Sequence, residues 1–323
     1  MLRGGKTVGF WGCLAAMMLL APTLAQAQQA VDFRQAIARE YRVGGWAIGC
    51  QVYSFNRYTL FEGIDKTRET GARLIEGFPG QVISEEHQVK FDASAPQEAL
   101  DAVKKKLDEA GVKMVCYGVV GLGKDEAASR KVFEFARKMG ILVIVSEPEE
   151  ENLPLVAKLA QEYGIPVAIH NHPQPSRYWD PKHLLESIKD LGPWVGSCAD
   201  TGHWMRSGVD PLEALKMLEG RIISMHIKDL NQTGRGTKEA PTHDVPFGTG
   251  KGNMKAILDE LRRQKFNGPM SIEYEYNWTE SVPEIKQCID YMRDNPRRPA
   301  AAKGEKSEKG EKAGKGGKAA RKR

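Results

Sequence analysis

Four short stretches of this chain carry the residue types from which metal and proton-transfer sites are built. "IHNHP" offers His170 and His172, "SCADTGHW" offers Asp200 and His203, "SMHIKDLN" offers His226 and Lys228, and "SIEYEYNW" offers Glu273 and Glu275. A fifth, "VIVSEPEE", adds Glu147. Each group closes an apolar run. Period-two spacing puts His170 with His172, His226 with Lys228, and Glu273 with Glu275 on matching faces of an extended chain. Imidazoles and carboxylates in this mixture suit one divalent ion such as Zn²⁺, Mn²⁺, Fe²⁺ or Co²⁺. Singly, each residue has a plainer explanation. Asp200 reads as the cap of the next helix, a loop histidine as an ordinary polar residue, and Glu273 as an exposed carboxylate. Coincidence is the weak point of that account, because five consecutive runs carry such residues at the same end.

Apolar, β-branched runs of strand length recur at 46–53, 73–76, 113–119, 141–146, 166–170, 194–200, 222–228 and 270–274. Amphipathic stretches of helix length lie between them: "PQEALDAVKKKLDEAG", "EAASRKVFEFARKMG", "ENLPLVAKLAQEYG", "PKHLLESIKDLG", "DPLEALKMLEG" and "NMKAILDELRRQKFNG". Several end in Gly, as a helix C-cap does. Near-continuous apolar strands alternating with helices imply parallel strands buried on both faces. Eight such units within residues 28–296 predict an α/β fold, a single-domain (β/α)8 TIM barrel, whose active site forms at the C-terminal ends of the strands. The alternative, a doubly wound open sheet, lacks its glycine fingerprint after the first strand, where "CQVYSF" follows instead.

The two ends of the chain read differently from its body. In residues 1–27, Arg3 and Lys6 precede an apolar run, and Ala25-Gln26-Ala27 has the small-x-small form of a cleavage site. This predicts a removed signal peptide, a secreted or periplasmic protein, and no membrane span in the mature form. Residues 297–323 hold eleven Lys and Arg against three Glu, with almost nothing to bury, and are expected to be a disordered basic tail. Setting aside the tail's +8 and the leader's +2, the total of +5 leaves the body near −5. The basic pI therefore belongs to the tail, and no nucleic-acid surface is implied. Cys50, Cys116, Cys198 and Cys288 form no CxxC pair and read as buried thiols, with one disulfide left open in an oxidising compartment.

"IHNHP", "CADTGHW", "MHIKDLN", "VPFGTGKGNM" and "SIEYEYNW" together resemble the xylose-isomerase-like barrel superfamily of sugar isomerases and epimerases, over nearly all of residues 46–293. The resemblance implies a metal held by Asp200, His226 and Glu273. At the fourth position His170 stands where many epimerases have Glu, which leaves Glu147 to serve as ligand or base. It also implies proton abstraction next to a carbonyl through a metal-stabilised enediolate, with Glu273 or Glu147 as base. Lys228, His172 and His203 would donate to hydroxyls or to developing charge. Glu76 and Trp204, with Trp278, Tyr274 and Tyr276, are candidates for substrate contact. The expected partner is a small carbohydrate, a non-phosphorylated sugar or keto-sugar, with a homo-oligomer left open. The glycine-rich Gly248–Gly252 loop lacks the Walker spacing and reads as a loop before the next helix. Two other uses of the same scaffold stay open, a 3-keto-glycoside lyase or hydrolase and a non-catalytic sugar-binding barrel. A DNA-repair endonuclease would want histidines at "IEGFPG" and "CYGVVGLG", which have none.

Overall fold

The computed structural model of the protein describes Met1 and residues 30–297. Apart from Met1 and Arg297, the expected leader and tail lie outside the described residues. Seven strands follow in chain order: β1 (Ile48–Gln51), β2 (Leu74–Gly77), β3 (Lys113–Tyr117), β4 (Val143–Ser146), β5 (Val167–His170), β6 (Val195–Asp200) and β7 (Ile222–Ile227). A short antiparallel hairpin, β8 (Asp229–Leu230) and β9 (Asp244–Val245), interrupts the series before β10 (Met270–Ile272). β1 to β7 and β10 pair in parallel and close into a barrel of eight strands, β10 lying between β7 and β1. The predicted TIM barrel is therefore present. Every expected strand run coincides with one of its strands, β2 extending one residue past its run to Gly77.

The helices are α1 (Phe33–Ala36), α2 (Leu60–Glu69), α3 (Gln97–Ala110), α4 (Glu126–Met139), α5 (Leu153–Tyr163), α6 (Pro181–Ile188), α7 (Thr201–Arg206), α8 (Pro211–Met217), α9 (Met254–Arg263) and α10 (Val282–Asp294). Six of them fall on the expected patterns. The expected C-cap glycines Gly111, Gly140 and Gly164 take left-handed φ angles of 62°, 71° and 67°, which only glycine adopts without cost. α2 carries a signal that pattern-matching passed over: Thr59 and Glu62 form a reciprocal capping box. At the N-terminal end of the barrel, Phe33 and Ile37 pack on Ala47, Leu74, Val115, Val143 and Ile223, plugging the floor beneath the strands. Burying the two side chains contributes about 1.5–3 kcal/mol each. The four cysteines of the body are free and buried, as expected. Among the described residues no helix is long and apolar enough to cross a membrane.

At the opposite end one buried carboxylate organises the loops. Asp229 follows β7, and its Oδ2 accepts hydrogen bonds from the N–H groups of Gly248 (2.9 Å) and Gly250 (3.1 Å), its Oδ1 from that of Gly252 (2.9 Å). The glycine-rich loop thus spends its amides on a carboxylate of its own chain. Gly248 holds φ at +83°, and a Cβ on Gly250 would run into Asp229 and the carbonyl of Leu230.

Replacing Asp229 by Ala leaves three partly buried amides without an acceptor. The expected cost is roughly 3 kcal/mol, with Asp229→Asn milder because one acceptor oxygen survives. Chemical denaturation of both variants checks this; an unchanged Asp229→Ala transition contradicts it.

Candidate active site

Strand register brings the chemical residues together. Asp200 at the end of β6 lies beside His226 of β7, His226 beside Ser271 of β10, and His170 of β5 beside Cys198 of β6. Asp200 is clamped by Asn171, whose Nδ2 donates to its carbonyl (3.0 Å) and whose Oδ1 accepts from its N–H (2.8 Å). Its side chain does two things at once. Oδ1 caps α7 by accepting from the His203 N–H at 2.7 Å, and Oδ2 is turned into the barrel. The cap and ligand readings of Asp200 are therefore compatible.

Lys228 places its ammonium at the centre of the acidic groups, 3.0 Å from Asp200 Oδ2, 2.7 Å from Glu273 Oε2 and 3.0 Å from Glu275 Oε2. All but about 1% of Lys228 is buried. Its stem reaches the site only because residue 202 is glycine: a Cβ there would stand 2.7 Å from the Cβ and Cδ of Lys228. Arg206 adds a second cation, 2.5 Å from Glu275 Oε2 and 2.9 Å from Asp244 Oδ2. Burial opposes ionisation of Asp200, but His203, Lys228 and His170 around it hold its carboxyl well below the usual range. Burial likewise opposes, and Lys228 and His226 outweigh, for Glu273. Lys228 is itself held protonated, burial being overcome by Asp200, Glu273 and Glu275. Burial depresses the His170 and His203 imidazoles, so both rings are neutral.

His226 and Glu76 form a layer under this cluster. His226 Nε2 lies 2.9 Å from Glu76 Oε1, its Nδ1 lies 3.2 Å from Glu273 Oε2 and 3.8 Å from Asp200 Oδ2, and Ser271 donates to Glu76 at 2.7 Å. Both nitrogens of His226 thus face carboxylates. Nearer the surface, Glu147 Oε2 lies 2.5 Å from His172 Nδ1, and Glu147 Oε1 accepts from Ser176. Burial opposes protonation of His172, but the Glu147 carboxylate raises its pKa.

The structure gathers His170, Asp200, His203 and Glu273 into one group whose ligand atoms lie within 4.8 Å of one another, and Glu147, His170 and His172 into a second. Two buried atoms of the first group lack a hydrogen bond, although the Lys228 ammonium stands 3.0 Å from one of them, Asp200 Oδ2. His170 Nε2 and Asp200 Oδ2 are 3.4 Å apart, fully buried, and make no aligned hydrogen bond. Neutral imidazoles and ionised carboxylates converging on a common point, with unspent lone pairs, fit a divalent ion. His226, expected as a ligand, stands at the edge of this group.

A cavity of ≈ 410 Å³ opens above, lined by Gln51, Tyr53, Phe78, His172, His203, Glu273 and Glu275. A more apolar cavity of ≈ 240 Å³ at the other end of the barrel, against Phe33 and Ile222, offers only Arg221 as a charged group. Of the expected substrate contacts, His172 lines the upper cavity, Trp204 is fully buried, and Glu76 lies beneath with His226. Tyr274 is buried, Tyr276 stacks on His243 at 4.2 Å, and Trp278 meets Tyr53 edge-on at 5.8 Å. Arg206, Ser176, Gln51 and Asp244 were not singled out by sequence. Arg206 had a signal, being one helical turn beyond His203 in "DTGHWMR".

Residues 64–295 match a family model described as Xylose isomerase-like TIM barrel. The chain is 24% identical over 247 residues to the rhizopine catabolism protein MocC of Rhizobium meliloti, covering 72% of each protein. It is 31% identical to a structurally determined, uncharacterised protein of Parabacteroides distasonis, over 78% of this chain and 99% of that one, with a TM-score of 0.63. The fold is shared with a D-psicose 3-epimerase of Clostridium cellulolyticum H10, solved with D-tagatose: 13% identity, TM-score 0.56, 78% of this chain and 100% of that one.

The charge arrangement sets a pH dependence. Asp200 and Glu273 have depressed folded-state pKa values, so their contribution to stability is complete above the ordinary carboxyl range near about 4 and is lost as pH falls through the folded values. Removing the cation in Lys228→Met strands buried carboxylates and is expected to cost about 3–5 kcal/mol at pH 7. The gap to wild type should narrow as pH falls below about 4 and the carboxyls take up protons. Denaturation at pH 7 and at about pH 3 measures it; a gap independent of pH contradicts the ion-pair assignment.

Proposed function

The chain belongs to the xylose isomerase-like TIM barrel family, and from that premise we propose that it is a divalent-metal-dependent enzyme that isomerises or epimerises a non-phosphorylated sugar. The convergence of His170, Asp200, His203 and Glu273 beside the buried Lys228 carries this reading. These four residues would hold the ion, with His226 at their edge. A divalent ion there supplies Lewis-acid polarisation of a carbonyl and its neighbouring hydroxyl.

The chain's own groups supply the rest. Glu273, ionised and lining the cavity, takes the proton from the carbon next to the carbonyl. The Lys228 ammonium, 2.7 Å from Glu273, faces the negative charge that develops on the sugar oxygens. Both oxygens of Glu147 are engaged, by His172 and Ser176, so Glu147 acts through His172. His172, with Nδ1 turned to Glu147, presents Nε2 as the second proton carrier, the role a partner carboxylate would otherwise fill. Burial of the cluster strengthens each of these interactions. The leader expected at residues 1–27 places the enzyme outside the cytoplasm, where its sugar meets it unphosphorylated, and the amides of the Gly248–Gly252 loop are already engaged by Asp229.

The test is deuterium exchange. Manganese-loaded protein incubated in D₂O with D-fructose, D-tagatose or D-psicose should place deuterium on the carbon beside the carbonyl, read by NMR. Chelation should abolish exchange, and Glu273→Gln or His172→Ala should slow it about 10²–10⁴-fold. Absence of exchange with every ketose tried, in metal-loaded protein, contradicts the reading.

A further inference from the structure

A second, larger space adjoins the catalytic cavity. Tyr53 and Phe78, which wall the cavity of ≈ 410 Å³, also line an adjoining groove of ≈ 650 Å³ formed by the 53–62 and 78–82 segments and Gln88. Each lies in the size range of about 300–1,000 Å³ typical of small-molecule sites. Joined end to end, they offer more room than a single sugar ring fills.

The wall between them has a definite chemistry. Tyr53 meets Phe78 edge-to-face at 5.1 Å and Trp278 at 5.8 Å, with rings nearly perpendicular to each other. The Tyr53 ring is 38% exposed, large for an aromatic side chain packed against two others. Interlocked in this way, it is a rigid apolar face that costs little entropy to present. The groove beyond is polar: Asn56 and Arg57 offer side-chain donors, and the inner wall carries Gln81. Gln81 is 96% buried by its 4% exposure, its Nε2 donates to the Tyr58 carbonyl at 3.1 Å, and its Oε1 has no hydrogen-bond partner. An aromatic face followed by polar groups matches a ring that is apolar on its faces and hydroxylated on its edges.

We infer that this groove is a second sugar subsite, so that the substrate is a glycoside of at least two rings, with the reacting ring over Glu273 and His203 and the next ring crossing Tyr53 and Phe78 into the groove. This rests on the sugar-enzyme reading above and narrows its substrate class. Val82 lies along the groove, 36% exposed, and does not line the catalytic cavity. It is therefore the position from which the groove can be blocked alone.

Isothermal titration of the manganese-loaded protein with D-glucose and D-galactose, beside cellobiose, maltose, lactose and sucrose, tests it. At least one disaccharide should bind about tenfold more tightly than either monosaccharide, the scale of one aromatic contact plus a hydrogen bond. Val82→Trp should abolish that advantage while leaving monosaccharide binding unchanged, and Tyr53→Ala should reduce it. Monosaccharide binding with no gain for any disaccharide overturns the inference and leaves the sugar-enzyme reading standing. A gain that survives Val82→Trp also overturns the inference. Binding of neither class overturns the inference, and the ketose exchange experiment then decides the sugar-enzyme reading separately.

Discussion

The ammonium of Lys228, buried among Asp200, Glu273 and Glu275, is the constraint on which the site depends. A lysine and three carboxylates taken from water are each costly, and their mutual attraction offsets that cost only if the geometry is close. Here the distances are 2.7–3.0 Å. One ammonium does not balance three carboxylates. Arg206 draws on Glu275 but is shared with Asp244, whose own carboxyl is pushed up to about 7 because burial outweighs the Arg206 and Lys228 cations. The remaining negative charge is concentrated on Asp200 and Glu273, beside two neutral imidazoles. That is where the proposed divalent ion would sit.

The barrel is arranged to keep that cluster in place. Asn171 fixes the Asp200 backbone, the α7 cap fixes one of its carboxylate oxygens, and Gly202 leaves room for the Lys228 stem. Immediately after Lys228, Asp229 gathers the 248–252 loop under the β8–β9 hairpin, so neighbouring residues of one strand end serve the chemistry and the scaffold. The aromatic wall of Tyr53, Phe78 and Trp278 follows β1, β2 and β10, whereas His170, His203 and His226 come from the ends of β5, β6 and β7. Reaction and recognition meet at the end of β10, which is followed by both Glu273 and Trp278.

Much of this was legible in the sequence, for reasons that differ by residue. Strand-length apolar runs and glycine-ended amphipathic stretches are local signals, and they located all eight barrel strands and six of the helices. His170, Asp200, Glu273 and Lys228 stood out because polar residues closing buried strands need an explanation. The partners of each residue were harder. His226 turns both nitrogens toward carboxylates, one of them Glu76 from a strand 150 residues away, and nothing within either segment announces that contact. His203 joins the tight donor group because α7 begins within the site, which follows from the Asp200 cap but not from residue type. Trp204, an aromatic next to a catalytic motif, packs inward because helix periodicity turns it from the face that carries His203. The groove beyond Tyr53 is formed by loops, whose course composition does not determine.

Metal content tests the central claim most directly. Purified protein, stripped and then reconstituted with Mn²⁺, Zn²⁺, Fe²⁺ or Co²⁺ and desalted, is analysed for elements beside Asp200→Ala, with circular dichroism confirming that both are folded. The expected result is about one ion per chain in the wild type and none in the folded variant, as a single site with carboxylate and imidazole donors requires. A wild type that retains no ion of any of the four would contradict it, and would mean that Lys228 and Arg206 neutralise the carboxylates alone.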